Sequence, residues 1–112
     1  MPDKPLREEP VKNRMTRSSG NVFKDLGFPE EEAENLKIRS ALMGHVRRIM
    51  DKRGLTQARA ARLMGVSQPR VSDMVRGKID LFSIDALVAM LAHLGARVRL
   101  EVISPSRRSH VA

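Results

Sequence analysis

Hydrogen-bonding and cationic side chains are concentrated between Thr56 and Lys78, where acidic residues are rare. Residues 54–78 contain five basic residues and one acidic residue, so this stretch carries half of the chain's net charge of +8. Amide, hydroxyl and guanidinium groups bind the oxygens of anions, and nucleic acid is the most common polyanion in a cell. The stretch is therefore predicted to bind a polyanion. The alternative is that its charge serves solubility alone.

The small and apolar residues of the same stretch have the spacing required where two short helices cross at a sharp turn. Thr56 and Ser67 are the predicted N-caps of these helices. Gly65 lies between them, where a left-handed backbone is needed and glycine adopts it without strain. The other scaffold positions supply a small side chain at the crossing or point inward: Ala61, Val66, Val71 and Met74. An ordinary helical hairpin is the alternative, but it would not need polar residues facing outward from the second helix.

The whole stretch, TQARAARLMGVSQPRVSDMVRGK, resembles the helix-turn-helix of the Cro and phage-repressor (XRE-type) family. The similarity extends over roughly residues 40–95 and implies an all-α, five-helix, repressor-like domain that regulates transcription. By this resemblance, Gln57–Met64 crosses the sugar-phosphate backbone of a double-stranded operator while Ser67–Val75 enters its major groove.

The resemblance also implies a role for each polar side chain. The base-reading candidates are Gln68, Pro69, Arg70, Ser72 and Asp73. The phosphate-binding candidates are Gln57, Arg59, Ser67, Arg76 and Lys78. Pro69 departs from the glutamine or arginine that is frequent at its position, and it offers only an apolar contact with a thymine methyl group.

The segments around this motif differ in composition. Residues 1–20, with three prolines and almost no apolar residues, are predicted to be a flexible basic arm, and residues 21–96 the helix-turn-helix domain. Pro29 is predicted to open a long helix that Gly54 ends. Ser83 is predicted to cap a later helix that Gly95 ends.

Residues 97–103 change period, because Val98, Leu100 and Val102 alternate with charged residues as in a half-buried strand. A lone strand has no backbone partner in a helical chain, so the same strand of a second copy is its predicted partner in a homodimer. The alternatives are a tail laid on the body of the protein and a dimer formed by a helix face. Residues 104–112 are predicted to be disordered.

The segment SSGNVFKDLGFPEEEAENLKIRSALMGHV resembles a narrower group, the HigA-like helix-turn-helix antitoxins, whose partners are RelE-like or HigB-like toxins. This resemblance implies an antitoxin that represses its own operon. The candidate toxin contacts are Val22, Phe23, Leu26 and Phe28. Two alternatives remain open: these residues cover the helical core, or the protein is a stand-alone XRE-type repressor without a toxin.

Other chemistry has little support in the sequence. The chain has no cysteine, and none of its three histidines has a second ligand one helical turn away, so we expect neither a metal nor a cofactor. It has no glycine-rich phosphate loop, and we expect no enzymatic activity. No apolar run approaches the roughly 20 residues needed to span a bilayer. Together with the resemblance to the repressor family, this predicts a cytoplasmic bacterial protein that lies at the nucleoid when bound to DNA.

Overall fold

The computed structural model describes residues 21–105, and within this range the chain forms five α-helices and no strand. The helices are α1 (Val22–Asp25), α2 (Glu30–Arg53), α3 (Gln57–Met64), α4 (Gln68–Val75) and α5 (Ile84–His93), with a 3-10 turn at Ile79–Leu81. The predicted all-α, five-helix class is confirmed. The predicted arm at residues 1–20 and residues 106–112 of the predicted tail lie outside the described range.

Helix α2 is the longest element, and both of its ends follow from local sequence. Pro29 is its N-cap, and three glutamates occupy the first turn, where the positive end of the helix dipole favours anions. Gly54 ends the helix in the left-handed conformation, with φ of 61°. Leu55 then donates a backbone hydrogen bond of 2.9 Å to the carbonyl oxygen of Met50, which directs the chain into α3.

Helix α1 is held to α2 by Asn21, which is buried. The Asn21 side-chain oxygen accepts hydrogen bonds from the backbone amides of Phe23 and Lys24, at 3.0 and 3.3 Å. The Asn21 amide group donates to the carbonyl oxygen of Ala33 at 3.2 Å. A single asparagine therefore caps α1 and fixes it against the start of α2.

The core lies between α2, α3, α4 and α5 and is made almost entirely of aliphatic and methionine side chains. Phe82, which is 1% exposed, is its one large aromatic residue. It enters the core from the residue that follows the 3-10 turn. The five residues with the largest fully buried side chains are Phe82, Met74, Leu87, Val46 and Val71.

The strand predicted at residues 97–103 is not seen in the described chain. After Ala96 donates to the carbonyl oxygen of Leu91, the segment has no regular structure. Leu100, Val102 and Ile103 are 82%, 80% and 84% exposed. A strand is defined by backbone hydrogen bonds to a neighbouring strand, and no such neighbour is found within residues 21–105.

None of the helices within residues 21–105 is both long enough and apolar enough to cross a membrane.

Candidate nucleic-acid interface

Helices α3 and α4 each begin at the hydroxyl cap that the sequence predicts. Thr56 Oγ1 accepts a hydrogen bond of 3.1 Å from the backbone amide of Arg59. Ser67 Oγ accepts one of 3.3 Å from the backbone amide of Arg70. Pro69 lies in the first turn of α4, where its missing amide hydrogen costs little because that amide would have no helical partner.

The turn between these helices has the geometry that the scaffold residues predict. Gly65 ends α3 with φ of 70° and ψ of 30°, a left-handed conformation that residues with a Cβ rarely adopt. Val66 then donates a backbone hydrogen bond of 3.0 Å to the carbonyl oxygen of Ala61. Ala61, Val71 and Met74 are buried, and Val66 is half-buried against the same core. The two helices therefore pack closely with their apolar sides inward.

The outer side of α4 carries polar groups at the surface. Gln68 and Pro69 are exposed, and Ser72 and Asp73 one turn later are half-exposed. Asp73 Oδ1 lies 3.7 Å from Lys78 Nζ, so the carboxylate of this helix has a cation beside it. The structure thus brings four of the five predicted base-reading residues together on the surface of one short helix.

Arg70, the fifth predicted base-reading residue, is placed differently. Its guanidinium carbon lies 4.3 Å from the centroid of the Phe82 ring. Its Nη1 donates a hydrogen bond of 3.0 Å to the carbonyl oxygen of Leu81. The Arg70 side chain therefore runs toward the 3-10 turn and is half-buried there.

The predicted phosphate-binding residues lie at the edges of this surface. Gln57 at the start of α3 is half-exposed. Four others are exposed, one on α3, one before α4 and two after it: Arg59, Ser67, Arg76 and Lys78.

Arg62 is a cation that the sequence reasoning did not single out. It follows Arg59 by three residues on α3, a spacing that puts both side chains on one side of a helix. Together with Leu63 they line a surface depression of about 320 Å³. The spacing of the two arginines was the signal that could have identified Arg62.

His45 is the one described group whose pKa clearly departs from its ordinary value. Partial burial, and to a lesser extent the Arg48 guanidinium, lower the pKa of His45 below 6.5. Arg48 Nη2 lies 3.2 Å from His45 Nδ1, a hydrogen bond that needs an unprotonated ring nitrogen. No group of three or more potential metal ligands is found within residues 21–105.

The predicted toxin contacts divide into two kinds. Val22, Leu26 and Phe28 are 54%, 70% and 38% exposed. Phe23 is half-buried, and its ring packs edge-on against that of Phe28 with 6.1 Å between centroids. Phe23 therefore helps to seat α1, whereas the other three offer apolar surface.

Comparison with known proteins gives a consistent picture of this architecture. A family model described as a helix-turn-helix domain matches residues 22–103. Among solved structures, a protein described as an XRE family transcriptional regulator superposes with a TM-score of 0.64 at 29% sequence identity, over 68% of this chain and 85% of that chain. No curated protein matches the chain. Because the family model spans most of the sequence, including both helices and the turn between them, the chain belongs to the helix-turn-helix domain family.

Proposed function

We propose that this protein is an XRE-type transcriptional regulator that binds a palindromic DNA operator as a homodimer, with α4 in the major groove. The observation that carries the proposal is the outer surface of α4. A rigidly capped helix presents an amide, a hydroxyl and a carboxylate there on Gln68, Ser72 and Asp73. The major groove is about 12 Å wide and admits one α-helix. The family match and the similar XRE regulator support the same reading.

Each side chain of this surface has the chemistry to contact a different kind of base edge. Gln68 can bond an adenine edge with both amide atoms, and Asp73 can accept from a cytosine amino group. Ser72 can bond either kind of base, and Pro69 can touch a thymine methyl group.

The surrounding residues suit the DNA backbone. Arg59, Arg76 and Lys78 provide cations, and Gln57 and Ser67 provide hydrogen bonds for phosphates at the edges of the groove. Arg62 adds a further cation beside Arg59.

The homodimer rests on the segment after α5. Exposed apolar side chains at Leu100, Val102 and Ile103 are costly for a monomer to hold in water. The alternation of Val98, Leu100 and Val102 with charged residues suits pairing with the same segment of a second copy, which would cover apolar side chains and satisfy the backbone. Dimerisation would also place two α4 helices on successive turns of one face of the duplex.

Selection of bound sequences from a pool of random duplexes tests this proposal directly. We expect a palindrome whose half-sites are about one helical turn apart. Enrichment of a single unrepeated half-site would contradict the dimer, and no enrichment at low salt would contradict operator reading. A charge-reversed variant, Arg76→Glu, serves as the negative control for the selection.

A second element of the proposal is that the protein is the antitoxin of a toxin–antitoxin operon. The observation that favours it is the apolar surface of Val22, Leu26 and Phe28, which the helical core leaves uncovered. A partner protein that binds there would bury this surface. A stand-alone repressor would have no such partner.

Co-expression with the product of the neighbouring gene separates the antitoxin from the stand-alone repressor. We expect the two proteins to purify as a complex and the complex to be lost in the variant Val22→Ser/Leu26→Ser. Val88→Ser, which changes an exposed apolar residue of α5, is the matched control and should keep the complex. The absence of any complex with the wild-type chain would leave the stand-alone repressor.

A further inference from the structure

The side chain of Arg70 links α4 to the 3-10 turn through two contacts at once. Its guanidinium carbon lies over the Phe82 ring, and its Nη1 donates a hydrogen bond to the Leu81 carbonyl oxygen. One of the five N–H donors of Arg70 is therefore used inside the protein, and its positive charge lies against the face of an aromatic ring.

The 3-10 turn that Arg70 contacts is also bound by Arg39 of α2. Arg39 Nη1 donates to the carbonyl oxygens of Ile79 and Phe82, at 3.1 and 3.3 Å. Arg39 Nε donates to Asn35 Oδ1 at 2.7 Å, which fixes the direction of the side chain. Phe82 itself is buried in the core. The 3-10 turn is therefore fixed in position, and the contacts of Arg70 with it define the orientation of α4.

Helix geometry separates Arg70 from the polar outer surface of α4. Successive residues of an α-helix are about 100° apart around its axis, so five side chains share an arc of about 140°: Gln68, Pro69, Ser72, Asp73 and Arg76. Arg70 lies about 60° beyond Asp73, next to the buried Met74. It stands on the flank of the helix that faces the 3-10 turn.

We infer that Arg70 is a positioning residue for DNA recognition: it sets the angle of α4 through Phe82 and keeps these contacts when DNA is bound. This inference rests on the proposed function, because it assigns a role in presenting α4 to the major groove. Base reading then falls to the four base-reading candidates of the 140° arc, which are Gln68, Pro69, Ser72 and Asp73. Loss of the contact would let α4 tilt, and all of its base contacts would weaken together.

The resonances of the Arg70 side chain give the most direct test. A proton above the face of an aromatic ring is shifted upfield by the ring current. We expect an upfield shift of Arg70 Hε that is absent in Phe82→Leu and that persists in the complex of the wild-type protein with the selected operator. Disappearance of the shift on operator binding would overturn the inference, because Arg70 would then have left the ring for the DNA.

Affinity measurements provide the second test, in which the readout is the ratio of operator affinity to random-duplex affinity. We expect this ratio to fall about tenfold in Arg70→Ala and in Phe82→Leu, a loss within the range for a partly buried cation–π contact. In the double variant the affinity ratio should also fall about tenfold and not a hundredfold, because both substitutions break the same contact. Arg70→Lys keeps the positive charge but lacks the planar guanidinium group, and the affinity ratio of this variant should also fall.

Two controls make the affinity test specific. Arg47→Ala removes one exposed cation for which no hydrogen bond or ion pair is found within residues 21–105, and it should keep the wild-type ratio. Urea unfolding of each variant establishes that the folded protein is measured. If Phe82→Leu does not fold, Arg70→Lys and the wild-type resonance still decide the question.

The contrary outcomes differ from one another. A wild-type ratio in Phe82→Leu, with preference lost at a single base pair in Arg70→Ala, would make Arg70 a base-reading residue and overturn the inference alone. A ratio of one for the wild-type protein would overturn the proposed function together with it.

Discussion

Arg53 Nη2 donates a hydrogen bond of 2.7 Å to the carbonyl oxygen of Leu94, so the last residue of α2 binds the C-terminal end of α5. The carbonyl groups at the end of a helix have no helical donors, and the helix dipole makes that end favourable for a cation. The contact joins the two helices that flank the helix-turn-helix. It therefore helps to hold α2 and α5 in place around α3 and α4.

Arg53→Ala should therefore destabilise the protein by about 1.5 kcal/mol, the lower end of the range for a hydrogen bond that involves a charged group, because Arg53 itself is exposed. Urea unfolding followed by circular dichroism measures the change. Lys52→Ala removes the neighbouring exposed cation and is the matched control, with an expected change below about 0.5 kcal/mol. Equal losses of unfolding free energy in the two variants would show that stability depends on the loss of a positive charge and not on the Arg53–Leu94 hydrogen bond.

Gly65→Ala should destabilise the fold by about 1–2 kcal/mol because alanine must adopt a left-handed backbone at φ of 70°. A Cβ at this position meets no atom within 4 Å, so the cost comes from the backbone alone. Gly44→Ala, inside α2, is the control. It meets only the far end of the Arg48 side chain and should stabilise the protein by about 0.5–1 kcal/mol. Thermal unfolding of both variants measures the change in melting temperature. Changes of the same sign in the two variants would contradict this account.

Gln68→Ala should weaken binding to the selected operator by about 1–3 kcal/mol and leave binding to random duplexes nearly unchanged. Arg76→Ala should weaken both alike and reduce the slope of log affinity against log salt by about 0.9. Titrations over a salt series distinguish a base contact from a phosphate contact in this way. Equal losses on both kinds of DNA for Gln68→Ala would remove its role in reading bases.

Stability should fall as the pH is lowered through 6.5, in part because of His45. Burial and Arg48 hold the pKa of His45 below 6.5 in the folded protein, so the unfolded chain takes up its proton first. Stability is lost from about pH 6.5 downward until the folded imidazole is also protonated. His45→Gln should show a smaller loss over this interval in unfolding measurements at several pH values. Identical pH dependence in the variant and the wild-type protein would contradict the assignment.

Leu100→Asp should convert the proposed homodimer into a monomer because it places a charge in the centre of the predicted strand pair. Light scattering during size-exclusion chromatography measures the mass. Leu63→Asp changes another exposed leucine, on α3, and should leave the dimer intact. A dimer that survives Leu100→Asp would shift the interface to a helix face.

The helix-turn-helix could be predicted from the sequence because its signals are local. Thr56, Ser67 and Ser83 cap helices at the predicted positions, since a hydroxyl bonds an amide three residues away. The predicted left-handed turn at Gly65 and the predicted end of α2 at Gly54 are likewise confirmed, because each glycine ends a helix with a positive φ.

The contacts that were not predicted join distant parts of the chain. The stack of Arg70 on Phe82 needs residues 12 apart to meet through the 3-10 turn, and no local pattern in the sequence marks it. Ile38 has the spacing of the apolar positions of α2 but is 40% exposed, although Ala33 and Leu36, nearer the start of the same helix, are buried. A strand at residues 97–103 needs a partner strand, and residues 21–105 of one chain do not supply it.

Mapping backbone amide shifts during titration with a short operator duplex tests the central claim most directly. If α4 reads the groove, the largest shifts will lie at residues 67–76, smaller ones will follow at the start of α3, and the amides of α5 will stay nearly unchanged. Largest shifts on α5 or on the N-terminal half of α2, or no shifts at low salt, would contradict the account.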